Sequence, residues 1–169
     1  MFMIQPLASD HSQKIHAFFY KMAVPLLCLA VVVFLPSCKH EKKVYQSDCN
    51  SDISYKHVSF RNLIDSIQNY DHQYIEVEGK YEEGDAESAL VNDSTFVDHS
   101  SEHALWVNFS QDCPLYLAGT RKGLFEYNDG KFTVISNKTI IIRGKIDVRH
   151  KGHLGSYRGE IDRVSYIQL

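Results

Sequence analysis

The chain has 169 residues, 44% of them hydrophobic and 23% charged, and 18 Lys and Arg against 21 Asp and Glu leave a formal net charge of -3. These values suit one folded soluble domain with a targeting segment and give no sign of a second core. The charge excludes any general attraction to nucleic acid or to an anionic membrane. Charge is nevertheless uneven: residues 71–102 are strongly acidic with Lys80 their only base, whereas residues 143–163 hold Arg143, Lys145, Arg149, Lys151, Arg158 and Arg163 against Asp147, Glu160 and Asp162. This reads as two solvated faces, with a basic binding face as the alternative.

Residues 1–21 are polar and weakly basic, with Lys14, His16 and Lys21, and residues 22–35 form an uninterrupted apolar run. That run falls short of the roughly 20 residues of a membrane span but suits the core of a secretory signal. Met3 and Met22 are alternative starts of translation. The run ends in Leu35-Pro36-Ser37-Cys38. This string resembles the lipobox of bacterial lipoproteins, with Leu three before the cysteine and a small residue directly before it; Pro36 stands where a small residue is usual. The resemblance implies that residues 1–37 are a signal peptide cleaved before Cys38. It further implies diacylglyceryl on the Cys38 sulfur, an acyl chain such as palmitate on the new amino terminus, and a place in the cell envelope. The outer membrane is favoured, with the domain in the periplasm or at the surface. The alternatives are a transmembrane anchor or a cytosolic protein with an apolar start.

Cys28 would leave with the signal and Cys38 would carry lipid, so Cys49 and Cys113 remain. In an oxidising compartment these two can pair, or both can stay free thiols. Residues 38–57, beginning with the lipidated Cys38, read as a flexible tether. From residue 58 the chain has the marks of a domain. Ser59 is placed to cap a helix in which Phe60, Leu63, Ile64 and Ile67 share one face, ending near Asn69.

Strands are expected over 74–81, 89–91, 104–109, 138–148 and 157–167, with 132–135 as an extra one. Between residues 113 and 131 the pattern is poor, although Leu115, Leu117, Leu124 and Phe125 call for partial burial. In the first strand Ile75, Val77, Gly79 and Tyr81 share a face, and in the fourth Ile140, Ile142, Gly144, Ile146 and Val148 do. A glycine on a buried strand face marks a bend or a close approach. In the last strand the alternation changes phase, which calls for a bulge at Asp162 and Arg163.

One helix followed by about five short strands, two with bend glycines, predicts a mainly β domain: a small curled antiparallel sheet or a five-stranded barrel. Residues 58–169 resemble the OB-fold of small secreted or lipid-anchored bacterial proteins. That resemblance implies a ligand face over the middle strands and adjoining loops. It selects Tyr81, Trp106, Arg143, Lys145 and Tyr157, with core or edge packing as the favoured reading of Tyr81 and Trp106. The glycine loop at 149–156 reads first as a hairpin whose glycines take positive φ; the alternative is an anion-binding concavity of backbone N–H groups with charge from Lys151 and Arg158.

The string His99-Ser100-Ser101-Glu102-His103 matches the H-x-x-E-H spacing of inverted zinc metallopeptidases, in which one helical turn sets two imidazoles on the metal. Here it runs directly into a strand and reads as a polar loop. Weak metal affinity at His99, Glu102 and His103 is the remaining metal reading, and no other catalytic constellation or cofactor motif stands out. The functional expectation is a non-catalytic, lipid-anchored binding or structural module for an envelope protein or glycan. The compartment and the acidic half argue against nucleic acid, and a zinc-dependent hydrolase using the H-x-x-E-H string is the alternative.

Overall fold

The computed structural model describes residues 42–50, 52–93 and 100–169; the expected signal peptide, Cys38 and His99 lie outside the described residues. In chain order the elements are β1 (Val44–Gln46), β2 (Lys56–His57), α1 (Phe60–Asp65), β3 (Tyr74–Gly84), β4 (Glu87–Val91), β5 (Leu105–Val107), β6 (Tyr116–Leu117), β7 (Lys138–Asp147) and β8 (Glu160–Gln168). Five of these strands close a ring, because β3 pairs with β4 and β7, β4 with β5, β5 with β8, and β8 with β7. All of these pairs are antiparallel except β5 with β8. The domain is therefore mainly β, an OB-like closed barrel with one short α-helix among the described residues. Closure removes the unpaired strand edges that an open sheet would expose.

Period-two alternation places Ile75, Val77 and Tyr81 of β3 inside, against Ile140, Ile142 and Ile146 of β7 and Leu90, Leu105 and Ile161 of their neighbours. Gly79 and Gly144 occupy inward positions in the same alternation. A Cβ on Gly79 would stand 2.8 Å from Leu90 Cγ, and one on Gly144 would stand 2.8 Å from the Asp162 carbonyl oxygen. Each glycine thus admits a neighbouring strand where the sheet curls. Opposite Gly144 the register shifts: Arg143 faces Tyr166 and Lys145 faces Asp162, so two steps along β7 match four along β8. Arg163 takes up the surplus in a left-handed conformation at φ 49. This returns Val164 and Ile167 to the core, as the phase change in the sequence requires.

The Ser59 hydroxyl caps α1 by accepting the Asn62 N–H at 3.4 Å, and Phe60, Leu63 and Ile64 are buried. The helix stops at Asp65 and tightens into a 3-10 turn, Ile67–Tyr70, that keeps Ile67 inside. It is shorter than the helix to Asn69 that spacing predicts.

Three stretches differ from expectation. Within residues 38–57, read as a tether, β1 pairs with β8 and β6, and β2 lies parallel to β3. Tyr45 is buried, with its hydroxyl 3.0 Å from Thr133 Oγ1. A strand of three residues with one buried aromatic carries too little periodicity to read. The extra strand at 132–135 does not form: Phe132 and Val134 are exposed and Ile135 alone turns inward. Phe125 is likewise exposed instead of partly buried. Residues 108–137 close one barrel end without an α-helix, through Leu115, Leu124 and Ile135. Cys49 and Cys113 are joined by a disulfide, Cα to Cα 5.7 Å, which ties the segment after β1 to this cover.

Candidate functional site

The loop between β7 and β8, residues 148–159, lies at the other end of the barrel and is tied down at its base. The Asp147 carboxylate accepts the backbone N–H groups of Arg149 at 2.8 Å and His150 at 3.2 Å, and meets His150 Nδ1 at 2.9 Å. Partial burial opposes ionisation of Asp147, but the His150 imidazole and the two backbone N–H groups outweigh it and hold the carboxyl down at about 2. The hydrogen bond from Asp147 in turn raises the His150 imidazole above its ordinary value. Across the strand pair Asp147 faces Glu160, whose pKa burial pushes up although Asn108 Nδ2 donates to it at 2.9 Å.

Beyond this clamp the backbone crosses the barrel wall. Gly152, at φ 60 and ψ -150, runs directly over the Trp106 side chain. Only glycine adopts that conformation at little cost. The chain then turns through His153–Gly155, where Leu154 is held at φ 55 and is 89% exposed. It returns with Tyr157 edge-on to Trp106, ring centroids 5.3 Å apart. The Arg158 N–H donates to the Ala104 carbonyl at 3.1 Å and fastens the second leg.

Trp106 and Tyr157 pack with Ala89, Val91 and Ala104 as a small outer core. This is the outer surface of β4 and β5, where OB barrels usually take ligands. Here the chain's own loop covers it, through Gly152 and Tyr157. No protein-family model, curated protein or solved structure matches this chain.

The candidate ligand-face residues separate. Tyr81 is buried in the barrel with its hydroxyl 3.1 Å from Ser88 Oγ, so it is a core residue and offers no ligand face. Trp106 and Tyr157 do come together, but against each other. Arg143 is engaged within the barrel wall: its Nε meets Glu76 Oε2 at 2.6 Å, and its guanidinium lies 4.2 Å from the Tyr166 ring centre. Burial raises the Glu76 pKa, but Arg143 and His57 outweigh it, and the carboxyl sits below its ordinary value. Lys145 is partly buried opposite Tyr74 on the same wall. Lys151 and Arg158 are exposed and line an open polar groove with Ser100, Glu102 and Ser156. Arg158 Nε also donates to the Ile64 carbonyl at 3.3 Å.

The H-x-x-E-H string does not gain the α-helix its zinc chemistry needs over its described part. Ser101–His103 is a single 3-10 turn leading into β5, and Glu102 and His103 are exposed. Sequence reasoning missed the clamp formed by Asp147, His150, Glu160 and Asn108. An aspartate ending a strand just before a glycine-containing loop is a signal for such a turn.

Proposed function

We propose that this protein is a lipid-anchored cell-envelope protein whose OB-like barrel is a non-catalytic binding module, with the tip of the β7–β8 loop as its contact for a protein ligand. The observation that carries the reading is Leu154, an aliphatic side chain displayed at the summit of a loop whose two legs are fixed to the barrel. A fixed, solvent-facing apolar residue suits insertion into a partner's pocket, since ordering it on binding costs little. The tip residue is aliphatic, so it favours a protein ligand over a glycan, which aromatic side chains stack against.

The envelope location is supported by the basic flank, the short apolar run and Cys38 in sequence. The Cys49–Cys113 disulfide suits an oxidising compartment. Lipid chains contribute about 0.8 kcal/mol per buried methylene, so more than one chain holds such a protein stably at the membrane.

Two measurements test the proposal. Metabolic palmitate labelling of the full chain is expected and should disappear in Cys38→Ser; labelling that persists removes the anchor. In-envelope cross-linking of the wild-type chain is expected to recover one defined protein that Leu154→Asp fails to recover. A partner retained by Leu154→Asp overturns the loop assignment. An envelope defect in a His99→Ala/His103→Ala double variant that keeps this partner would favour the hydrolase instead.

A further inference from the structure

The barrel end closed by residues 108–137 carries an apolar surface that the loop-tip contact does not use. Phe125 is 51% exposed, Tyr127 65%, Phe132 60% and Val134 63%. The rings are supported rather than loose. Phe125 packs edge-on against Phe109 at 4.9 Å between centroids, and Tyr127 against Phe132 at 5.2 Å. Two supported ring pairs, with Phe125 and Tyr127 two residues apart in sequence, set several apolar side chains on this end, and a grouped exposed set marks a contact surface.

The place where the chain enters the barrel says what that occupant is. Val44 opens β1 beside this cover: its carbonyl accepts the Ala118 N–H at 2.8 Å, and the next residue, Tyr45, reaches Thr133, which lies between Phe132 and Val134. Cys38 precedes Val44 by six residues, a reach of about 20 Å at full extension. The loop tip is farther away, because β7 runs from Lys138 at this end to Asp147 at the other, about 30 Å along the strand. A lipid on Cys38 therefore brings the aromatic end, and not the loop tip, against the bilayer.

The charge at this end is mixed. Lys42, Lys43, Arg121 and Lys131 are exposed, while the β3–β4 hairpin brings Glu82, Glu83, Asp85 and Glu87 to the same end, the Glu83 N–H donating to Ser136 Oγ at 3.3 Å. The rings and not the charge therefore carry the seating, since aromatic side chains settle at the boundary between headgroups and acyl chains.

We infer that Phe125, Tyr127, Phe132 and Val134 form a membrane-resting surface that holds the barrel upright, with the Leu154 loop pointing away from the bilayer. The inference rests on the lipid-anchor reading, and its test keeps the two apart. Full-length Phe132→Trp and Leu154→Trp chains are reconstituted into phosphatidylglycerol-containing vesicles with brominated acyl chains, each also as the unlipidated Cys38→Ser form.

In the lipidated chains the added emission of Phe132→Trp should fall by about half, since interfacial rings sit about 5–10 Å into the boundary, while Leu154→Trp stays unquenched. Unquenched Phe132→Trp in a chain that still takes palmitate overturns the membrane surface and leaves the anchor standing. Quenching without palmitate labelling leaves the surface standing and removes the anchor. Equal quenching at both positions overturns the orientation. Loss of quenching as a dimer forms on concentration assigns the patch to a second copy of this chain and overturns the membrane assignment.

Discussion

Gly152 lies across the indole of Trp106 so closely that a Cβ at position 152 would stand 2.6 Å from Trp106 Cβ, and its φ of 60 belongs to a region that side-chain-bearing residues avoid. The contact converts the outer wall of β4 and β5 from an open ligand face into an internal one. Gly152→Ala should cost about 1–3 kcal/mol in backbone strain alone. It should also lift the loop, shifting Trp106 emission to the red. Urea unfolding monitored by fluorescence checks both, and an unchanged midpoint with unchanged emission would remove the loop from its place over Trp106.

At Gly144 too a methyl group has no space, because it would meet the Asp162 carbonyl and the Ile161 side chain. Gly144→Ala should destabilise by about 1–3 kcal/mol through overpacking at the bulge. Lys138→Ala, exposed on the same strand, should change stability by less than about 0.5 kcal/mol. Equal thermal shifts in the two variants would contradict the close approach of β7 and β8.

The Cys49–Cys113 disulfide closes a loop with a sequence separation of 64. Long loops lose the most conformational entropy in the unfolded chain when bridged, so the Cys49→Ser/Cys113→Ser double variant should lose about 2–4 kcal/mol. The wild type under reductant should show the same loss. Indifference of the melting temperature to reductant would mean that the bridge does not form in the folded protein.

Asp147 and Glu160 face each other and respond to pH in opposite directions. The folded pKa of Asp147, about 2, lies below its ordinary 3.8. Its contribution is therefore present above about pH 4 and is lost as pH falls through that interval, about 1 kcal/mol once solvent screening is allowed for. Asp147→Asn should flatten this acid limb. Glu160 has a folded pKa above its ordinary 4.5 because of burial, so the fold favours its protonated form. Stability from this group declines as pH rises through the raised value, and Glu160→Gln should stabilise the protein near neutral pH by less than about 1 kcal/mol. Denaturation midpoints measured across this pH range decide both signs, and a destabilised Glu160→Gln would refute the assignment for Glu160.

The mainly β class, the inward faces of β3 and β7, the bend glycines, the Ser59 cap and the phase change near Arg163 were all legible in the sequence. Each is written in local periodicity, which the backbone imposes on neighbours two or three residues apart. A five-stranded barrel was one of the two expected forms, but the strand partners, above all the parallel pairing of β5 with β8, were not legible, since they are set by contacts far apart in sequence. Nor could local pattern separate Tyr81, buried in the barrel, from Trp106, outside it under a loop. Both are aromatic residues in alternating strands, and the side that receives cover depends on where the β7–β8 loop crosses. The same holds for Phe125 and Phe132, which are exposed and lie outside the strands of the barrel, a placement that local pattern does not set. Sequence alone determined the alternation and the Leu35-Pro36-Ser37-Cys38 string on which the anchor proposal rests. Tertiary structure alone decided which aromatics are core, which lie under the loop, and which remain on the surface beside Val44.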